Sequence, residues 1–121
     1  MTSFNLVTFL GNAGDKAELR KTPADTSVTD FRLAVHTYTG KDQEGKPTET
    51  TMWLTVVCWK DLAEQVSTIV KKGSLVLVSG KLAIREYTDK ESIKHTNVEI
   101  IAATVLLLDK REAALPEEKV N

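Results

Sequence analysis

The sequence has one cysteine, three prolines, six glycines and seven aromatic side chains in 121 residues. Each shortage excludes something. Cys58 alone cannot close an internal disulfide, so the fold must stand on its core, and a chain of this length is large enough for one such domain. Met1 to Asn5 carries no basic cluster and no long apolar run follows, so no secretory signal is expected. The longest apolar stretch, Ile100 to Leu108, includes Thr104 and is about half of the roughly 20 residues a membrane helix needs. A reducing, cytoplasmic setting is the resulting expectation. An excess of one charge is missing too. Sixteen Lys+Arg stand against 17 Asp+Glu, giving a net of -1 and a pI near 6.1, whereas polyanion binders are usually basic overall. Cys58, His36 and His95 lack metal-ligand spacing, and no phosphate-cradling glycine loop, paired catalytic carboxylate motif or nucleophile elbow is found. No enzymatic step, metal or cofactor is expected.

What is present is strand pattern. Five runs alternate or are rich in β-formers: Asn5 to Leu10, Val28 to Thr39, Thr50 to Trp59, Ser74 to Tyr87 and His95 to Leu108. Several exceed the usual strand length of about 5 to 6 residues, as strands do when they bend and serve two parts of a barrel. Gly80 marks a candidate bend or bulge inside the fourth run. Long polar connections are expected at Gly40 to Pro47 and Thr88 to Lys94. One helix interrupts the strands: Asp61 caps it with Glu64 three residues on, Leu62, Val66, Ile69 and Val70 form its apolar stripe, and Lys71-Lys72-Gly73 closes it. The order strand, strand, strand, helix, strand, strand predicts an all-β fold, a small five-stranded barrel plugged by a helix. That is the oligonucleotide/oligosaccharide-binding (OB) architecture. An open α+β sandwich is the alternative.

Four of the seven aromatics sit on unusual strand faces. Parity places Trp53 and Trp59 with Thr55 and Val57, opposite Leu54, Val56 and Cys58. It places Tyr38 with Arg32 and His36, opposite Phe31, Leu33 and Val35, and Tyr87 with Lys81 and Arg85. Rings that share faces with cations rather than with the core point to a stacking surface for flat ligands such as nucleic-acid bases. Cys58, on the apolar parity, is expected to pack as a small hydrophobe. Lys71, Lys72, Lys81, Arg85 and Lys90 fall close together in sequence, although a solvated surface is the commoner reason for such a cluster. Lys71 and Lys72 would also suit a helix C-terminus.

At this point the residues resemble a family. Gly11-Asn12-Ala13-Gly14, Glu18-Leu19-Arg20, Thr22-Pro23 and Phe31-Arg32-Leu33-Ala34-Val35 are similar to the amino-terminal pattern of bacterial single-stranded DNA-binding proteins. Residues Trp53 to Glu64 and Lys71 to Leu82 resemble that family's third strand, helix and fourth strand in register, and the similarity covers about residues 4 to 108. The resemblance implies an OB domain over 1–108, while the charged run from Asp109 to Asn121, with Pro116 inside it, is expected to be a short tail, mostly disordered or a frayed helix. It implies base stacking on Tyr38, Trp53, Trp59 and Tyr87 and phosphate contacts from Lys41, Lys60, Lys72 and Arg85. It further implies sequence-tolerant binding of single-stranded DNA in replication, recombination and repair, a homotetramer, and a cytoplasmic, nucleoid-associated location. Two departures stand out. Lys16-Ala17 replaces the usual Asp-Pro, which leaves the first turn less rigid and adds a cation. The chain closes on Lys119-Val120-Asn121 without the family's acidic, phenylalanine-ended tip, which puts recruitment of enzyme partners in doubt. With a near-neutral charge, an OB module that assembles with proteins and binds nucleic acid weakly is the second expectation.

Overall fold

The computed structural model describes residues 2–108, so the expected tail over 109–121 lies outside the described residues. In chain order the elements are β1 (Val7–Ala13), β2 (Arg20–Lys21), β3 (Ser27–Lys41), β4 (Pro47–Trp59), α1 (Lys60–Ile69), β5 (Leu75–Thr88) and β6 (Lys94–Leu107). The five expected strands are all present. The two-residue β2, pairing Arg20 with Val28 and Lys21 with Ser27, was not anticipated.

Closure decides between barrel and sandwich. The sheet runs β1-β5-β6-β4-β3-β2, and the end of β1 returns to β3 through Asn12↔Ala34 and Ala13↔Leu33. The five long strands therefore form a closed barrel with one helix between the third and fourth of them, which is the OB fold. Two glycines permit it. A Cβ on Gly11 would lie 2.3 Å from the Ala34 carbonyl oxygen where β1 crosses β3, and one on Gly80 would lie 2.2 Å from that of Ile101. The register shift between Ser79 and Gly80 confirms the irregularity expected there.

The barrel interior follows strand parity. Phe31, Leu33, Leu54, Val56, Cys58, Val76, Val78 and Ile100 form one cluster with Ala63, Val66 and Val70. Burying each large aliphatic side chain contributes roughly 1.5–3 kcal/mol. The helix thus packs on Ala63, Val66 and Val70, with Leu62 half-buried and Ile69 exposed, which corrects the expected stripe. Its expected cap is also corrected. Trp59, not Asp61, precedes the first turn, and no side chain caps it. Glu64 is occupied elsewhere, accepting a hydrogen bond from Ser27 Oγ at 2.9 Å and so tying the helix to β3. At the other end the helix stops at Ile69, and Lys71 to Ser74 form a separate turn: Ser74 N–H donates to the Lys71 carbonyl, while Lys71 N–H donates to Ser74 Oγ, both at 3.0 Å. Lys71 and Lys72 therefore lie beyond the helix and do not complement its terminus.

Strands β3–β4 and β5–β6 extend past the barrel as two hairpin arms, and the expected long connections shrink to tight turns of one design. At one tip, Asp42 Oδ1 accepts the N–H groups of Glu44 and Lys46; at the other, Asp89 Oδ1 accepts those of Glu91 and Ile93, all at 2.9 Å. The fourth residue of each turn has positive φ, 83° at Gly45 and 66° at Ser92. Glycine tolerates that region without a Cβ clash, whereas an L-residue loses on the order of 1 kcal/mol there. Ser92→Gly is accordingly expected to stabilise the protein by up to about 1 kcal/mol in denaturant unfolding, offset in part by glycine's larger unfolded-state entropy.

Burial pushes the Cys58 thiol up to about 12, with the nearby Asp30 charge adding to the shift. The folded chain holds this proton more tightly than the unfolded chain does. The associated stability is complete below the unfolded value near 9 and is lost as pH rises from there toward 12. At pH 8 Cys58 should be inert to a thiol-disulfide reagent in the native protein and react promptly once denatured.

Candidate nucleic-acid interface

Residues directly opposite in an antiparallel pair share a sheet face, so the registers assemble the outer surface row by row. Across β3 and β4, the pairs Tyr38↔Glu49, His36↔Thr51, Ala34↔Trp53, Arg32↔Thr55, Asp30↔Val57 and Val28↔Trp59 occupy the face opposite the core. Parallel pairing of Thr55↔Glu99 and Val57↔Ile101 carries that face onto β6. From there Lys81↔Ile101, Ala83↔Glu99, Arg85↔Asn97 and Tyr87↔His95 carry it onto β5. Tyr38, Trp53, Trp59, Arg85 and Tyr87 consequently belong to one continuous surface that runs from one hairpin arm across the barrel to the other.

The four rings are accessible: Tyr38 is 62% exposed, Trp53 51%, Tyr87 49% and Trp59 42%. Each is held differently. Trp53 packs between neighbours, since a Cβ on Gly14 would meet its Cζ3 at 2.8 Å and the Arg32 guanidinium lies 4.3 Å from its ring centroid. That cation–π contact contributes about 0.5–1 kcal/mol at an exposed site. Tyr87 stacks on His95 with centroids 4.9 Å apart and planes 16° from parallel. His95 Nε2 in turn lies 2.8 Å from Asp89 Oδ2, a contact that, with the backbone N–H groups of Ile93 and Glu91, holds the Asp89 carboxyl below its usual range. His36 has a looser version of this arrangement, with Nδ1 2.9 Å from Thr51 Oγ1 and 3.3 Å from Glu49 Oε1. Tyr38 stands near the arm's tip, where the register shifts before Gly40.

The expected cations fall at the margins of this surface. Lys41 ends β3 opposite Pro47 at a hairpin tip. Lys60 turns the chain from Trp59 into α1 with φ of 60°, a left-handed conformation unusual for a lysine. Lys72 lies in the turn whose Gly73 N–H donates to the Ala13 carbonyl at 2.7 Å, one residue from the Gly14 that abuts Trp53. Arg85 is on the surface itself, in a depression shared with Glu86, Tyr87 and Asn97. Its guanidinium is engaged, with Nη2 2.9 Å from Oε2 of Glu99, a side chain only 10% exposed. Sequence reasoning did not single out Glu99, the stacking of His95 on Tyr87, or Arg32 as the group over Trp53. Parity had placed Arg32 and Tyr87 on the right faces, but the partners come from neighbouring strands.

An OB barrel that carries an exposed aromatic face bordered by cations defines a candidate single-stranded nucleic-acid-binding protein. The pattern of the Single-strand binding protein family matches residues 4–108, and the chain belongs to that family. It is 36% identical over 113 residues to Single-stranded DNA-binding protein 1 of Xylella fastidiosa, covering 93% of this chain and 82% of that one. It is 35% identical over 102 residues to Single-stranded DNA-binding protein 2 of Streptomyces coelicolor, covering 83% of this chain but 51% of the relative. A crystal structure of a small single-stranded DNA-binding protein from Streptomyces coelicolor superposes with a TM-score of 0.73 at 23% identity, over 92% of this chain and 99% of that one. That likeness supports the fold.

The conformation of Lys60 separates its charge from its structural cost. A glycine relieves the left-handed strain there, so Lys60→Gly should change unfolding free energy by less than about 1 kcal/mol. If Lys60 holds a phosphate, the same variant should flatten the salt dependence of oligonucleotide binding by about 0.7 in log–log slope.

Proposed function

We propose that the chain binds single-stranded DNA without marked sequence preference and with no chemical step, serving to cover exposed strands in replication, recombination and repair. The observation that carries this reading is the single outer face on which Tyr38, Trp53, Trp59 and Tyr87 all stand exposed, spanning both hairpin arms. Every base has a π-face, so stacking is tolerant of sequence and contributes about 1–3 kcal/mol per base. Lys41, Lys60, Lys72 and Arg85 are the phosphate contacts of this reading, with Arg85 weakened by its bond to Glu99. The binding domain of this reading is 1–108. A cytoplasmic, nucleoid-associated location goes with that role, and among the described residues no helix is long and apolar enough to cross a membrane.

The assembly of this reading is a homotetramer. Strand β1 pairs with β5 along Val7 to Asn12 but with β3 only at Asn12 and Ala13, which leaves one edge of Val7 to Gly11 open to a second copy. The row Leu10, Leu77 and Leu106 adds an apolar outer face on β1, β5 and β6. The alternative, an OB module that engages proteins, draws on Ile84 and Val98, which are exposed on the face of the β5–β6 arm opposite Tyr87.

Titration with oligothymidine separates the two. Binding should quench Trp53 and Trp59 fluorescence and weaken with salt, and an unchanged spectrum at micromolar protein would sink the DNA-binding reading. Trp53→Ala should lower affinity by the equivalent of about 1–3 kcal/mol with little loss of thermal stability, because the ring is half-exposed. Light scattering should return four times the 13.4 kDa chain mass.

A further inference from the structure

Two arginines share the outer face near its centre, and the structure treats them oppositely. Arg85 is bound at 2.9 Å to Glu99, a carboxylate almost withdrawn from solvent. A nearly buried carboxylate is costly without its partner, so Glu99 depends on this bond, and the Arg85 side chain, itself 66% exposed, has its guanidinium held in place and part of its charge offset. Arg32 forms no ion pair among the described residues. Of the acidic groups around it, Glu99 pairs with Arg85, Asp30 with Arg20 at 3.4 Å, and Asp15 accepts the backbone N–H of Arg32 itself at 3.2 Å. The Arg32 guanidinium instead lies over the Trp53 indole, 4.3 Å from its centroid. It is therefore a planar cation outside any ion pair among the described residues, laid over the Trp53 ring.

We infer that Arg32 is a nucleic-acid-contacting residue of this surface, and that Arg85 is a strut held by Glu99. This rests on the DNA-binding reading above and reassigns the cation at its centre. A guanidinium plane accepts a stacked base as an aromatic ring does, and its outward N–H groups donate to phosphate oxygens. Arg32 and Trp53 then act as one unit, in which the indole orients the guanidinium and the guanidinium adds charge where the stacked base's own phosphate passes. Lysine in its place keeps the charge but loses the flat contact.

The test is fluorescence titration with oligothymidine at several salt concentrations, using the unmodified chain, Arg32→Ala, Arg32→Lys, Glu99→Gln and Trp53→Ala, with thermal melts to confirm folding. Arg32→Ala should bind about tenfold more weakly at low salt, combining a lost charge with a lost stacking partner. Its log–log salt slope should be shallower by about 0.7, the share of one cation on a single strand. Arg32→Lys should keep the slope and lose only part of the affinity. Glu99→Gln should free Arg85, tightening binding and steepening the slope. Native affinity and slope in Arg32→Ala, with Trp53→Ala impaired, would overturn the assignment of Arg32 while leaving the DNA-binding reading intact. A Glu99→Gln variant that folds but binds no more tightly would overturn the strut assignment. Absence of binding by the unmodified chain would overturn both readings.

Discussion

The short parallel contact between Thr55–Val57 of β4 and Glu99–Ile101 of β6 is the constraint on which the candidate site depends. Apart from β1, which closes the barrel, the short β2 and the helix, the protein is two long antiparallel hairpins, each with its own face parity. Joining them side by side at this contact, in this register, makes the outward side of one continuous with the outward side of the other. A slip of one residue would move the Arg85 and Tyr87 face of the second hairpin to the side away from Trp53 and bring Ile84 and Val98 alongside it instead. The core enforces the register, because Val56 and Ile100 are both fully buried at the same contact.

Beyond the contact the arms are two-stranded ribbons with solvent on both sides, and such ribbons are marginal by themselves. Their tips compensate with the same Asp-centred turn, in which one carboxylate oxygen accepts two backbone N–H groups. The second arm goes further. Asp89 also holds His95, and His95 stacks on Tyr87, so the turn that closes the hairpin also orients an exposed ring. Turn closure and ring orientation are in this way supplied by the same few side chains.

How well residues could be read depended on the range of the interaction involved. Alternation along β4 separated Trp53 and Trp59 from Leu54, Val56 and Cys58, and burial agrees at every one of these positions. The helix was legible in extent, but its ends were not. Asp61 and Glu64 have the spacing of a capping box, yet Glu64 bonds Ser27 on a distant strand, a partner that local spacing cannot reveal. Lys71 and Lys72 looked like helix-terminal cations, yet the helix ends at Ile69 because Val70 turns into the core. For Arg85 and Arg32, parity gave the correct face but not the electrostatic state, since Glu99 and Trp53 come from neighbouring strands.

The sequence by itself determined which side chains face outward, because strand parity is a local property with period two and the apolar positions select the buried side. It also determined the order of elements, which fits an OB barrel, but the choice of barrel over open sandwich was made by the return of β1 to β3. The tertiary structure alone decided which outward residues are neighbours and which of their charges remain available. Those depend on pairings between strands far apart in the chain, above all the β4–β6 contact, and no local pattern encodes which carboxylate will lie beside which arginine. That is why the four rings could be found in the sequence, whereas the guanidinium laid over Trp53 could not.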